Sequence, residues 1–407
     1  MSEALRPATA EDVRDLVAWA LAEEYALEVL GAGTKRGFGR PVHAAHVVRL
    51  DRLREISLYE PEELVMSAAV GTPLAEITAR LAENRQELAF EPPDWGPLFG
   101  QPAGQGTIGG VFACNLSGPR RIKAGAARDH FLGVQAVTGR GDLIKSGGRV
   151  MKNVTGYDLC KLLCGSHGSL AVMTEVTFKV LPAAETTLTL LLGGLDRAAS
   201  LQALRTATGT AYDVAAAAYL PATVGQRSSL PEIAAAGHGL ALIRLEGPAP
   251  SVRYRADSLI KLLGPLGGEI AELDSEPSAV LWREIRDLRL LGLGDAVIWR
   301  VSVPPASGAS IIAELKPELA FDWQADWAGG LLWLAVRNVT DGGAAAIRAA
   351  VAHSGGHATL IRGSEALRAS IDVFQPQPPP LAALTARVKE SFDPKCILNP
   401  GRMYPAA

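Results

Sequence analysis

The chain has 407 residues, with 40 Lys and Arg against 43 Asp and Glu, a formal net charge of -3 and 48% hydrophobic residues. That length implies two or three separate cores, and the near-balance of charge argues against nucleic acid as the main partner, since a phosphate backbone calls for a basic surface. No apolar run approaches the roughly 18–20 residues needed to span a bilayer, and the polar, acidic start (1–15) is not a secretory signal. The expectation is a cytoplasmic chain that reaches the inner membrane only through partners.

Thr9-Ala-Glu-Asp12 reads as a capping box opening a helix with Val13, Leu16, Val17 and Ala20 on one face. Tyr25 to Leu30 reads as a strand that runs into a glycine-rich turn, Gly31 to Gly39. A strand follows at His46 to Leu50, a β pattern at Leu64 to Val70, and a helix at Pro73 to Glu83 with proline early. Gly96 to Gly118 is again glycine-rich. Val134 to Thr138, Gly141 to Ile144 and Val172 to Val180 read as strands, with Gly139 to Gly141 a hairpin turn.

The character changes near Pro182. Thr186 to Leu192, Val214 to Tyr219, Gly239 to Leu245 and Val297 to Val303 read as strands, and Ala198 to Thr206 and Arg253 to Leu263 as helices. Ile311 to Leu315, Leu331 to Val336 and Ala344 to Ala352 continue the alternation. This is an α+β pattern, expected as an antiparallel sheet with helices on one face. Gln375 to Pro380 is an extended, proline-rich connector, after which Leu381, Leu384, Val388 and Phe392 form a helix stripe that should dock on something.

Four scattered cysteines (Cys114, Cys160, Cys164, Cys396) are too few for a disulfide framework or an iron–sulfur cluster. His43 and His46 have metal-pair spacing, but on a strand they face opposite ways and no carboxylate is near in sequence. His353 and His357 flank a Ser-Gly-Gly turn and read as surface histidines. Trp282, Trp299, Trp323, Trp327 and Trp333 read as core or interface anchors. The basic stretch Arg120, Arg121, Lys123 and Arg128 reads as a solvated face that an anionic substrate or partner could use.

Three glycine-rich segments carry the chemistry. Gly31-Ala-Gly-Thr-Lys-Arg-Gly-Phe-Gly39 exposes backbone N–H groups and lets an anion approach closely. It is neither a Rossmann fingerprint, because Arg36 stands where the third glycine belongs, nor a Walker loop, because Thr34-Lys35 is in the wrong order. Gly104 to Gly110, leading to Asn115 and Gly118, suits a second approach, and Gly165 to Val172 a third. Three such segments in one domain point to one long ligand touched at several places, as a dinucleotide would be.

Together with Arg128 to Gly133, Lys152 to Leu159 and the terminal run Phe392-Asp-Pro-Lys-Cys-Ile-Leu-Asn-Pro-Gly-Arg402, these segments resemble the PCMH-type FAD-binding domain of the vanillyl-alcohol oxidase superfamily. Within it they resemble the FAD-binding subunits of bacterial glycolate oxidase. The motifs cover about residues 9–182 and 381–404; the middle agrees only in length and pattern.

The resemblance implies an α+β chain with an FAD domain over 1–182, a cap, substrate or subunit-interface domain over 183–380, and a segment over 381–407 returning to the FAD domain. It implies FAD bound by Gly31, Ala32, Gly33, Thr34 and Lys35; by Thr107, Ile108, Gly109, Gly110, Ala113, Asn115 and Gly118; and by Gly168, Ser169, Leu170, Ala171 and Val172. Asn399 is a further candidate, as are Lys152, Asn153 and Tyr157, and His167 is the histidine to test near the ring. Some relatives attach FAD covalently through a histidine of the first turn. Thr34 and Lys35 stand there in this chain, which implies non-covalent FAD.

The sequence has no His-Gly-Asp-Gly-Asn-His type run and no Glu-His pair of the kind found in 2-hydroxy-acid dehydrogenase caps. No catalytic residue is therefore assigned. The expected role is electron carriage from a small 2-hydroxy acid, glycolate to glyoxylate, with a GlcD-like FAD subunit and a GlcF-like iron–sulfur subunit as partners. A self-sufficient FAD dehydrogenase and an assembly subunit with a vestigial nucleotide site are the alternatives.

Overall fold

The computed structural model describes residues 4–149, 156–292 and 294–405, so Lys152 and Asn153 lie outside the described residues. The chain divides into two units. Unit 1 comprises Met1–Ser117, Gly125–Ala183 and Asp372–Ala407, and unit 2 comprises Gly118–Ala124 and Ala184–Ile371.

Unit 1 begins with the capped helix Ala10–Ala22, in which Thr9 Oγ1 accepts from Asp12 N at 3.0 Å and the Asp12 carboxylate accepts from Thr9 N. Strands β1 (Leu27–Leu30) and β2 (His46–Arg49) pair in parallel. His43 precedes β2, and His46 packs against the rings of Trp19 and Tyr25 at 5.1 and 5.2 Å. A five-stranded antiparallel sheet follows in the order β3 (Ile56–Glu60), β4 (Val65–Ala69), β8 (Ala171–Lys179), β6 (Phe131–Thr138), β7 (Leu143–Gly147). The short pair β5 (Gln86–Glu87) and β9 (Leu181–Pro182) closes one side.

The helix Ile108–Ala113 is keyed to this sheet by Phe112, whose ring stacks on Phe131 at 4.4 Å and leans on Phe178 and Phe90. Burying such a ring stabilises the packing by about 1.5–3 kcal/mol. Gly109 permits the close approach, since a Cβ there would stand 2.5 Å from Val70 Cβ. The second glycine segment is thus placed by the core.

The returning tail completes unit 1. Helix Pro379–Phe392 starts inside the proline-rich run, with proline in its first turn, and buries none of its own residues. Leu381 and Leu384 are 45% and 48% exposed, while Val388 and Phe392 of the same stripe are half-buried. After it, the fully buried Asp393 carboxylate accepts from Ile397 N (3.0 Å) and Leu398 N (2.8 Å) and pairs with Lys389. Residues 397–399 then run parallel beside β1, with Leu27 N donating to Ile397 O at 2.7 Å and Asn399 N to Leu27 O at 2.9 Å.

Unit 2 is built on an eight-stranded antiparallel sheet. Its strands are β10 (Thr186–Gly193), β11 (Ala216–Leu220), β12 (Leu240–Gly247), β13 (Glu269–Leu273), β14 (Val297–Ser302), β15 (Ala320–Asp326), β16 (Leu331–Arg337) and β17 (His357–Arg362), in the order β13-β10-β12-β11-β15-β16-β14-β17. Ile311–Leu315 belongs to the helix Gly308–Leu315. All five tryptophans of this region are buried. Trp299 donates its indole N–H to Gly342 O (2.8 Å) and Trp282 to Thr189 Oγ1 (2.9 Å), as buried indoles generally require. Among the described residues no helix is long and apolar enough to cross a membrane.

Asp393→Ala leaves the Lys389 ammonium and two backbone N–H groups without their carboxylate. It should lower the unfolding free energy by about 3 kcal/mol, measured from urea denaturation midpoints against the parent protein.

Candidate functional site

The first glycine turn leaves the end of β1 and is held from three directions. The Glu28 side chain, 3% exposed on β1, accepts from Arg36 Nε (3.0 Å) and Arg402 Nη2 (2.9 Å). Arg402 Nη1 reaches the carbonyl oxygens of Arg36, Phe38 and Arg40 at 3.0–3.4 Å, so one guanidinium sets the curvature of the whole turn. Arg49 on β2 donates to Ala32 O at 3.1 Å. Gly33 has φ 82°, a left-handed conformation that costs glycine little. Gly31 faces Thr107, where a Cβ would meet Oγ1 at 2.5 Å. The first two segments therefore touch only because residue 31 has no side chain.

Thr107 caps the helix Ile108–Ala113 by accepting from Gly110 N. The third segment is hung from the far end of that helix: Gly165 N donates to Phe112 O (3.0 Å) and His167 N to Ala113 O (2.9 Å). Asn399 closes the ring. Its Oδ1 accepts from Val29 N at 2.8 Å and its Nδ2 donates to His167 O at 2.8 Å, which ties β1 to the third segment. Gly168, beside it, has no room for a Cβ without shifting Asn399 Nδ2.

Between these segments lies an open cleft. Gly31 to Lys35 line it from the first turn; Thr107, Gly109, Gly110 and Ala113 from the second segment; and Gly168, Ala171 and Val172 from the third. Ile108, Asn115, Gly118, Ser169 and Leu170 are not among its lining residues. Ile108 is fully buried. Asn115 uses its side-chain oxygen to hold Arg128 N at 3.1 Å, and Gly118 belongs to unit 2. The Ser169 hydroxyl bonds Ser166 O, its own carbonyl accepts from Lys389 at 2.6 Å, and Leu170 is 9% exposed. Tyr157 is 91% exposed.

The cleft is electropositive. The Lys35 ammonium lies 3.2 Å from the position a Gly110 Cβ would take, and among the described residues its hydrogen-bond partner is the Thr34 hydroxyl at 3.3 Å. Burial pulls its pKa down, partly opposed by Cys114 and the more distant Asp94. His167 is packed edge-on against Phe38 (4.8 Å) and Phe374 (5.0 Å), with Nδ1 3.8 Å from Cys114 Sγ. Burial, and secondarily the charge of Arg402, push its pKa down to about 3, so the imidazole is neutral. Arg402, Phe38 and Cys114 line the cleft although sequence reasoning did not single them out as site residues. The signal for Arg402 was its place at the end of the terminal motif.

The basic stretch is divided by the structure. Arg120 pairs with buried Glu246 at 3.0 Å, Lys123 pairs with Asp213, and Arg128 donates to Lys161 O, while Arg121 lies over the Trp327 ring. His357 sits at the start of β17, near Arg121 and Arg300 in charge.

These residues fit FAD on physical grounds. The cleft offers backbone N–H groups in a left-handed turn, an ammonium without a carboxylate partner for a pyrophosphate, and apolar walls from Leu50, Val70 and Met173 for a planar ring. Residues 2–147 match the family model described as FAD binding domain. Solved structures of 4-ethylphenol oxidase from Gulosibacter chungangensis and of p-cresol methylhydroxylase share the fold with TM-scores of 0.70. They cover 98% and 99% of this chain and 88% of theirs, at 14% and 16% identity. Residues 2–147 thus carry an FAD-binding domain, in a fold that these solved structures share.

The glycolate oxidase subunit GlcE of Escherichia coli (strain K12) is 34% identical over 387 residues, spanning 95% of this chain and 94% of its own. This chain belongs to that family of FAD-binding oxidoreductase subunits. The glycolate oxidase subunit GlcD of Bacillus subtilis (strain 168) is 32% identical over 195 residues, 48% of this chain and 38% of its own.

The neutral His167 sets an acid limb. The folded-state pKa of about 3 lies below the ordinary imidazole value of 6.5, so the unfolded chain takes up the proton first as pH falls. Stability tied to this group is intact above about pH 6.5 and declines between about 6.5 and 3. His167→Leu should remove up to about 2 kcal/mol of the stability difference between pH 7 and pH 4.5, read from urea midpoints at the two pH values.

Proposed function

We propose that this chain is the FAD-carrying subunit of a hetero-oligomeric glycolate, or closely related 2-hydroxy-acid, dehydrogenase, and that electrons pass from it to an iron–sulfur partner. The observation that carries the reading is the cleft walled by all three glycine segments, which Lys35 and apolar side chains such as Leu50, Val70 and Met173 also line. The kinship to GlcE and the partial likeness to GlcD support a complex in which two FAD subunits of related sequence work together.

The amides of Gly31 to Lys35 and the Lys35 side chain hold the pyrophosphate; Thr107, Gly109 and Gly110 face the cofactor from the start of the helix Ile108–Ala113, and Ala113 from its last residue. Gly168, Ala171 and Val172 form the opposing wall. Ile108, Asn115, Gly118, Ser169 and Leu170 act on the cofactor only by placing those neighbours. FAD is held without a covalent bond, because the first turn presents Thr34 and Lys35. When bound, FAD supplies a two-electron acceptor that can release electrons one at a time.

A general base works best with a pKa near the working pH. His167 at about 3 is too weakly basic for that task, and it is walled in by Phe38 and Phe374. This supports removal of the substrate proton on the GlcD-like subunit, with the present chain relaying electrons toward a GlcF-like subunit.

The purified chain should be yellow and release FAD on heat denaturation, detected by chromatography. Anaerobic glycolate should leave its absorbance near 450 nm unchanged alone and bleach it when the GlcD-like partner is added. Bleaching of the isolated chain would show that it oxidises substrate itself; a colourless chain that takes up no added FAD would end the reading altogether. Lys35→Met should weaken FAD binding about 10- to 100-fold, the loss of a charge-assisted hydrogen bond, measured by flavin fluorescence titration of the apoprotein.

A further inference from the structure

The chain leaves unit 1 after Ser117, runs with unit 2 from Gly118 to Ala124, and returns to unit 1 at Gly125. This excursion starts just beyond the helix Ile108–Ala113, whose Gly109, Gly110 and Ala113 line the cleft. Six residues with two glycines among them make a helix too short and too permissive to hold its shape alone. Its end is closed by a Schellman turn: Asn115 takes φ 49°, its N–H donates to Phe112 O at 3.1 Å, and Leu116 N donates to Val111 O at 3.0 Å. Asn115 Oδ1 then accepts from Arg128 N (3.1 Å) and Ser117 Oγ from Ala127 N (2.9 Å), which draws the two ends of the excursion together. A loop closed at its base in this way moves with the helix it leaves.

The rest of unit 2 grips the excursion at several points. Gly118 O accepts from the Trp327 indole N–H at 3.3 Å, and the Arg121 guanidinium lies 4.5 Å from the centroid of the same ring. Arg120 reaches Glu246 Oε2 at 3.0 Å, while Glu246 Oε1 is taken by Arg244 at 2.6 Å, and these three side chains are only 9–10% exposed. Arg244 and Glu246 lie on β12, an inner strand of the eight-stranded sheet, whose register sets Arg244 between Thr189 of β10 and Ala216 of β11. An ion pair so far removed from water is lost only at a high cost. The second pair, Lys123 with Asp213, is about half exposed at both ends and contributes little. Removing Arg120 would leave Glu246 still paired with Arg244, so the sheet would keep its ion pair while the excursion lost its main hold.

We propose that Arg120 is a positioning residue for the cofactor: by fixing residues 118–124 to β12 it holds the helix Ile108–Ala113 in the placement that FAD requires. The coupling runs through contiguous bonds. Arg120 fixes the excursion, Asn115 and Ser117 tie its base to the helix end, and the last carbonyls of the helix, Phe112 O and Ala113 O, receive Gly165 N and His167 N of the third glycine segment. One clamp in unit 2 thereby sets two of the three segments that wall the cleft, although no residue of 118–124 lines it. The inference rests on FAD occupying that cleft, and it gives Asn115 and Gly118 a part as joints of the excursion. Coupling of this kind is reciprocal, so bound FAD must in turn steady residues 118–124.

The test uses the full chain stripped of FAD and titrated with it again, flavin fluorescence reading the affinity and backbone hydrogen exchange the local order. Arg120→Met should weaken FAD about tenfold and speed exchange at the Val111, Cys114, Gly165 and His167 amides. Arg120→Lys, which keeps the charge and shortens the reach, should fall between the parent and Arg120→Met. Lys123→Ala removes the same charge from the same segment without touching the clamp, and should change the affinity by less than about twofold. In the parent, FAD should slow exchange of the Arg121, Lys123 and Ala124 amides, which bond inside the excursion. The proposal is overturned if FAD leaves those three amides unchanged, if folded Arg120→Met binds FAD as the parent does, or if Lys123→Ala weakens it equally. A parent chain that takes up no FAD would end the cofactor reading, and this inference with it. Should Arg120→Met fail to fold, the parent exchange and the Arg120→Lys and Lys123→Ala variants still decide.

Discussion

The ion pair between Glu28 and Arg402 is the constraint on which the nucleotide cleft rests. Both side chains are nearly excluded from water, at 3% and 5% exposure, so neither charge is tolerable alone. The same guanidinium that neutralises Glu28 also collects three carbonyl oxygens of the first turn. By tying down those carbonyls it fixes the course of the turn that follows Gly31 to Lys35. A turn of five glycines or small residues would otherwise have little preference for one shape; here an arginine from the far end of the chain imposes one. Asn399 extends the same logic to the third segment, linking Val29 and His167 through a single side-chain amide.

Around that frame the electrostatics are asymmetric. Lys35 sits in a partly buried place with a hydroxyl for company and its pKa drawn down by burial, whereas His167 gives its charge up altogether. The cleft therefore sets an amine drawn down by burial near an uncharged imidazole, with Cys114 beside both.

Much of this was legible in the sequence, for reasons that can be named. Glycine segments announce themselves because the backbone approach they permit excludes any side chain, as Gly31 against Thr107 and Gly109 against Val70 show. The helix opened by Thr9 and the hairpin at Gly139 to Gly141 were readable from local chemistry alone. Strands β3 and β17 were not: Ile56-Ser-Leu-Tyr-Glu60 is short and half-solvated, and His357 to Arg362 has its apolar run cut by the preceding glycine pair. Asn115 and Ser169 had the right residue type and position, yet their polar atoms serve Arg128 N and Ser166 O, a use that only tertiary placement reveals. Arg402 and Phe38 were missed as site residues for the converse reason, since an arginine or a phenylalanine beside glycines carries no local sign of whom it will meet. Arg120 and Glu246 are 126 positions apart, and nothing in either neighbourhood marks them as companions.

The separation of 374 positions between Glu28 and Arg402 also imposes an order of events on biosynthesis. While the ribosome is still making the intervening unit, β1 lacks its flanking segment and Glu28 lacks its counter-ion from the tail. The amino-terminal half must then wait, water-exposed at this seam, while the inserted unit has all its own strands in hand and can condense first. The nucleotide cleft is accordingly complete only once Asn399 and Arg402, which line it, have been added to the chain.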